Sequence, residues 1–496
     1  VIGMLATLKV AARDRARLSE VAAVMSRFGL DVLLARLGLG SAQDQPEPFD
    51  LPDRTRRALE ALGPTWVKLG QIMATRADIL PPDWIAAFEH LQSAAPRLPF
   101  DDLRPAVEAA FGEPPETVFA HFDPEPLAAA SMAQVHRATL HDGTDVVVKI
   151  RRPGIRPRME ADLRLLGEVA RVMERSNAEA RRFGATKLVR QLGSAILGEL
   201  DFANEGRNAD LLREDFVRDP RVVIPRIHWD YTSEAVIVMD HLAGIPPRNA
   251  QALRDAGIDP AVIATSGADI VLQMALINGR FHGDPHPGNL LCLPGDRIGM
   301  IDFGLIGHVS PRRREEFIAF VQALVTDDPA LLAETLARWA EREAEISRFL
   351  PIAEGLVVRH GRRLVLADLV ADLFGTLREE KLAFPPDLLL LFKALITLDG
   401  VLGAIEPDFD LAAAMRRASG RLVMERLSPE RWSRRAAAVA MEVDRLGDDL
   451  PRLIRALARR AEAPPAPSPA QTFDSRLIAA ALIVAALIIA AAVLLT

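Results

Sequence analysis

Residues 280 to 309 read RFHGDPHPGNLLCLPGDRIGMIDFGLIGHV, which gathers His282, Asp284, His286, Asn289 and Asp302 within 21 positions and follows the last with Phe303 and Gly304. Three chemistries compete for such a set. As a metal-hydrolase cluster, His282, Asp284 and His286 would need further ligands of suitable geometry, and nothing nearby supplies them convincingly. As an ordinary turn, Pro285, Pro287 and Gly288 explain the loop but not the order of the acids and the amide. As a phosphotransfer loop, spacing and residue type agree: an HxD is followed by Asn five positions after the Asp, and Asp-Phe-Gly begins thirteen positions after that Asn. Asp302 would then hold a Mg²⁺ ion bridging the phosphates of ATP, Asn289 would complete its oxygen shell, and Asp284 would orient or deprotonate the acceptor.

Such a site also needs a strand lysine for the α- and β-phosphates and a helical Glu to hold it. The run DVVVKI supplies Lys149, 135 residues before Asp284, on the opposite face of its strand from Val146, Val148 and Ile150. Alone it would read as a solvated strand position; the downstream loop decides for a role. GELDFANEGRN offers Glu199, Asp201 and Glu205 as partners. Taken as one helix, it puts Asp201 and Glu205 four apart on one face, with Glu199 about 120° around from Glu205. The three acids are then expected to serve two different cations, and Lys149 and Lys68 are the candidates. Lysine is scarce here, 6 residues (9, 68, 149, 187, 381, 393) against 54 Arg, so each one marks a place where a compact ammonium could be wanted over a planar fork. Over the phosphates, kinases place a Gly-rich turn. This chain has LAAASMAQVHRA, with Ala129, Ala130 and Ser131 at the equivalent place and no Gly between 112 and 143. Alanine keeps that loop small but restricts its backbone, so nucleotide can bind while transfer geometry is expected to differ.

The elements that must position these residues follow from pattern. Residues 1–115 read as a helical extension. From 116 to 245 short strands dominate: a hairpin turns at His141-Asp142-Gly143, helices are predicted over 157–175 and 187–215, and EAVIVMDHL forms another strand. Residues 246–460 are mainly helical, 461–476 are a Pro/Ala linker, and 477–496 are 20 residues without a charge, the length of a transmembrane helix. The expected fold class is α+β, a two-lobed protein-kinase-like fold with an N-terminal helical extension and a C-terminal transmembrane helix. With 496 residues, 49% hydrophobic, the chain can bury a sizeable core. A net charge of −7 argues against the broad basic surface that nucleic-acid binding requires. The single cysteine, Cys292, excludes an intrachain disulfide and is expected to be a buried packing residue. The first forty residues lack the apolar core of a signal peptide, and Arg459, Arg460 and Arg476 before the final segment place the main body on the cytoplasmic side.

In order along residues 50–425, KLGQ with TRADILP, AAAS, VVVK, ELDFANE, HGDPHPGN and DFG resemble the UbiB family of atypical kinase-like proteins, which includes bacterial ubiquinone-biosynthesis proteins and mitochondrial coenzyme Q relatives. Only the catalytic loop is shared with small-molecule kinases of the aminoglycoside and choline type. The resemblance implies that Lys68, Gly70 and Gln71 belong to an extension that folds over the active site and restricts access by protein substrates. It pairs Lys68 with Glu199 and Asp201, and Lys149 with Glu205. It further implies ATP and Mg²⁺ as cofactors, ATPase or unorthodox kinase-like activity supporting ubiquinone biosynthesis, and prenylated quinone precursors, membrane lipid and quinone-biosynthesis enzymes as partners at the cell inner membrane. Bacterial members commonly end in a pair of membrane segments where this sequence offers one, and the element after KxGQ departs from the family as LQSAAPRLP. Two other readings are a kinase for a small hydroxylated molecule, against which Lys68 and the Ala-rich loop stand, and a nucleotide- or lipid-binding pseudokinase scaffold, against which Lys149, Asn289 and Asp302 stand. Hydroxylation is unexpected, for no flavin fingerprint or iron triad is present.

Overall fold

Alternation along DVVVKIR decides the first part of the fold: Val146, Val148 and Ile150 are fully buried, while Lys149 faces the other side of the strand. The computed structural model describes residues 14–29, 50–74, 76, 80–91, 96–176, 181, 184–340, 346–360, 365–379, 385–411 and 413–417. Strands β1 (His121–Ala129), β2 (Ala133–Thr139) and β3 (Asp145–Arg151) form an antiparallel meander. A short β4 (Val222–Val223) pairs elsewhere, and β5 (Val236–Asp240) adds to β3, giving the order β1-β2-β3-β5. The predicted turn between β2 and β3 is present. Gly143 takes φ of +86° there, which a Cβ would disfavour, and the Leu140 N–H closes the turn on the Thr144 carbonyl at 2.9 Å.

The extension comprises α1 (Arg15–Arg27), α2 (Leu51–Leu62), α3 (Pro64–Ala74) and α4 (Pro82–Glu89), followed by α5 (Phe100–Phe111) and a single turn α6 (Pro115–Val118). Phe100, Leu103 and Val107 of α5 cover the apolar face of the sheet. Leu59, Leu62, Trp66 and Val67 form a separate core with Leu165 and Leu166 of α7 (Ile155–Ser176). A buried ion pair fixes the same contact: Arg17 donates through two nitrogens to Asp162 at 2.7 and 3.0 Å, and the Thr65 hydroxyl donates to Asp162 at 2.8 Å.

The helix predicted over 187–215 is corrected to two, α8 (Ala185–Gly198) and α9 (Phe202–Asp215). The break has a cause in Asp201, whose extended backbone and carboxylate cap α9 by accepting from the N–H groups of Ala203 and Asn204 at 3.1 and 3.3 Å. The remainder is mainly helical: α10 (Ala250–Asp255), α11 (Pro260–Gln273, running into a π-helical turn to Asn278), α12 (Pro311–Val325), α13 (Pro329–Trp339), α14 (Ile346–His360), α15 (Leu366–Glu379) and α16 (Pro386–Ile405). Between α11 and α12 lie β6 (Arg280–His282), β7 (Leu290–Leu293), β8 (Arg297–Met300) and β9 (Ile306–His308). They pair as β4-β8-β7 and β6-β9, an arrangement that presents the polar loop and the Asp-Phe-Gly segment side by side. Cys292 on β7 is a buried packing residue, as expected. Two segments, Pro260–Asn278 and Asp387–Ile405, have the length and hydropathy of membrane spans, yet most of each is buried in the protein core, where Phe392 of α16 meets Phe317, Phe320, Trp339 and Phe374. The linker at 461–476 and the segment at 477–496 lie outside the described residues.

Asp162 is 1% exposed, so removing its carboxylate leaves the Arg17 guanidinium buried without its partner. Asp162→Ala is expected to destabilise docking of the extension by about 3 kcal/mol, seen as an earlier thermal unfolding transition than that of the wild type.

Candidate active site

Three elements meet at Lys149. Its ammonium donates to both oxygens of Glu205, from the first turn of α9, at 2.8 and 2.9 Å, and to Asp302, just past β8, at 3.3 Å. The Phe202 ring lies 5.2 Å from the same nitrogen. Burial by itself would lower the Lys149 pKa, but the Asp302 and Glu205 charges outweigh it and hold the ammonium above its ordinary value. Glu205 is 3% exposed, and burial together with the charge on Asp302 raises its carboxyl against the pull of Lys149. Asp302 moves the other way: burial pushes it up, yet Lys149, the Gly304 N–H, His282 and Lys68 hold it well below the carboxylate range. The Asp-Phe-Gly backbone is tied to α9 as well, because Asn208 donates to the Phe303 carbonyl at 2.9 Å while the Phe303 N–H approaches Glu205 at 3.4 Å.

The polar loop is built from its own backbone. His282 Nδ1 accepts the Asp284 N–H at 3.1 Å, which puts the proton of the neutral ring on Nε2, and burial lowers its pKa. His286 Nδ1 likewise accepts the Gly288 N–H at 2.9 Å. In both rings Nδ1 is spent as an acceptor, so the neutral form carries its proton on Nε2, which then has no lone pair for a metal ion. Asn289 donates through Nδ2 to the Asp284 carbonyl at 3.1 Å, leaving its amide oxygen as an acceptor. That oxygen and the half-exposed Asp302 carboxylate suit Mg²⁺, which takes one or two protein oxygens and completes its octahedron with phosphate and water. The Asp284 carboxylate has Lys393 of α16 3.5 Å from one oxygen and His286 Nε2 3.9 Å from the other.

The Ala-rich turn is closed. The Ala130 N–H donates to the Ala133 carbonyl at 2.8 Å, Arg152 donates to the Ala130 carbonyl at 2.8 Å, and Ser131 is buried. Of the backbone donors considered for phosphate, that of Ala130 is thus already committed within the turn, next to Ala129 paired across to Gln134.

Lys68 of α3 pairs with Glu199 at 2.6 Å. Burial opposes its charge, but Glu199, Asp302 and Asp284 raise its pKa above the ordinary value, so the extension delivers a cation to the field of the two catalytic-loop carboxylates. Gly70 and Gln71 do a different job. A Cβ on Gly70 would stand 2.3 Å from a Leu91 methyl and 2.8 Å from one of Leu59, and Gln71 donates to the Leu91 carbonyl at 3.1 Å. Asp201 departs from expectation: it caps α9 and lies 3.5 Å from Arg207, and Lys68 pairs with Glu199. Sequence reasoning missed Lys393, Asn208 and Arg152. The scarcity of lysine was a signal for the first, hidden by its place in an apolar run.

The chain matches the ABC1 atypical kinase-like domain over residues 90–336 and the UbiB helical domain over 352–410. A protein named Probable protein kinase UbiB from Marinobacter nauticus is 34% identical over 416 residues, covering 80% of this chain and 76% of its own. Its namesake from Pseudomonas paraeruginosa is 31% identical over 439 residues, 86% and 82% of the two chains. A solved Mycobacterium tuberculosis protein, Rv3197 in complex with erythromycin, has a TM-score of 0.48 at 21% identity, covering 70% of this chain and 90% of that one, too distant to bear on the chemistry here.

Because the space at Gly70 is filled by two leucine methyl groups, Gly70→Val is expected to cost about 2 kcal/mol through overpacking of the extension, measured as a lowered melting temperature.

Proposed function

The chain belongs to the UbiB family of atypical kinases, and on that premise we propose that it is a Mg²⁺-dependent, ATP-using enzyme of ubiquinone biosynthesis. The observation that carries this reading is the Lys149–Glu205 pair standing beside Asp302, with Lys68 of the extension paired to Glu199 in the field of Asp302 and Asp284. Lys149 binds the α- and β-phosphates, and Glu205 fixes its direction. Asn289 and Asp302 supply the oxygens for Mg²⁺, which when bound neutralises phosphate charge. Asp284 orients the acceptor hydroxyl or water and takes its proton as the new P–O bond forms; the Pβ–O–Pγ bond breaks and its electron pair leaves on the β-phosphate of ADP.

The extension is the reason to favour water or a small lipid head over a protein as acceptor. Lys68 adds a charge in the field of Asp284 and Asp302, and the Arg17–Asp162 clamp holds its helices in place. Residues 477–496 tether the enzyme to the inner membrane with its main body cytoplasmic, where prenylated quinone precursors and their enzymes would meet it. ATP turnover coupled to such lipids would help extract or deliver them.

The test is Mg²⁺-dependent ATP hydrolysis by the full chain, with and without phospholipid vesicles and a prenylated phenol, beside Asp302→Asn. The expected result is turnover stimulated by both additions and reduced at least about a hundredfold in the variant. Turnover indifferent to both additions removes the lipid part of the reading. Tight nucleotide binding with no turnover in any condition replaces it with a scaffold.

A further inference from the structure

Lys393 lies 109 residues beyond Asp284, outside the kinase-like domain, yet its ammonium comes within 3.5 Å of the Asp284 carboxylate. It is the single cation in the stretch Asp387–Ile405, whose mean hydropathy is 2.1, and its neighbours Phe392, Ala394 and Leu395 are fully buried. Phe392, locked among Phe317, Phe320 and Trp339, fixes the place from which the lysine stem extends. Lys393 and Asp284 are each about a third exposed, 31% and 36%, at a spacing too long and too wet for the pair to add much stability.

The division of labour between the two cations in this chain points to another purpose. Where a carboxylate is clamped for structure, the chain uses the two-pronged arginine: Arg17 on Asp162, Arg164 on Asp14, Arg221 on Asp219 and Arg280 on Asp215. Three of the four lysines among the described residues, Lys68, Lys149 and Lys393, instead pair with site carboxylates. An ammonium, with three donors and no fixed plane, suits an anion whose oxygens rearrange during transfer.

Resting on the phosphotransfer reading above, we infer that Lys393 is a catalytic residue, the terminal-phosphate lysine of this enzyme, supplied in cis by the helical domain. Lys149 serves the α- and β-phosphates from one side of Asp302, and Lys393 stands at Asp284, where the γ-phosphoryl group meets the acceptor. As the acceptor oxygen bonds to Pγ and ADP departs, the acceptor proton moves to Asp284 and the Lys393 ammonium answers the charge on the phosphoryl oxygens. The helical domain then completes the active site.

A ligand with a γ-phosphate feels Lys393 and ADP does not. With the full chain in detergent, calorimetry compares Mg·ADP with the β,γ-imido analogue of Mg·ATP in the wild type, Lys393→Met and Lys393→Arg, alongside melting temperature and ATP turnover. In Lys393→Met the expected result is an unchanged melting temperature and ADP affinity within about twofold of wild type, analogue affinity lower by about tenfold, and turnover lower by about a hundredfold. Lys393→Arg recovers most of the analogue affinity. Should methionine lower the melting temperature, Lys393→Gln carries the same comparison with a polar head beside Asp284. Equal loss of ADP and analogue affinity, or no loss of either, overturns the inference while leaving the phosphotransfer reading in place; a wild type that binds neither nucleotide overturns both.

Discussion

A lysine ammonium taken largely out of water and given two carboxylates is the charge around which the centre of this molecule is arranged. Glu205 alone could not remain ionised at 3% exposure without Lys149, and removing either partner of such a pair costs about 3–5 kcal/mol. The triad also joins three elements: β3 contributes the lysine, α9 the glutamate, and the segment after β8 the aspartate. One cation facing two anions leaves a net negative site, and the two acids respond in opposite directions. Glu205 is driven up by burial, whereas Asp302, half-exposed and served by several donors, stays ionised. Environment thus separates two carboxylates of similar chemistry into a structural partner for lysine and an open oxygen donor for a metal ion.

The same logic extends outward through Lys68. The extension could have packed on α7 by its leucines and Trp66 alone, with the Arg17–Asp162 pair setting its register. That it also carries an ammonium to Glu199, in the field of Asp302 and Asp284, links the seating of these helices to the charge of the site. Gly70 permits the close approach and Gln71 holds the Leu91 carbonyl, so the KxGQ motif divides into one residue for the site and two for the packing beneath it.

Much of the site was legible because kinase chemistry fixes intervals along the chain. Asp284, Asn289 and Asp302 belong to one hairpin-sized segment, and strand alternation alone oriented Lys149. What escaped depended on contacts between distant segments or on one local break. Sequence pattern puts Asp201 on the same helix as Glu205, whereas its carboxylate caps the start of that helix. The Ala130 N–H, a phosphate donor by position in the sequence, is taken by the Ala133 carbonyl. Lys393 was hidden by the apolar helix that carries it, since a lone lysine in such a run reads as a long stem reaching for solvent.

If the Lys149 triad forms a Mg·nucleotide site, calorimetric titration of Mg·ADP into the full chain and into Lys149→Met reads it directly. One saturable, Mg²⁺-dependent site in the wild type, weakened at least about tenfold in the variant, is the predicted result. Binding that is independent of Mg²⁺, or equally tight without the lysine, would contradict it.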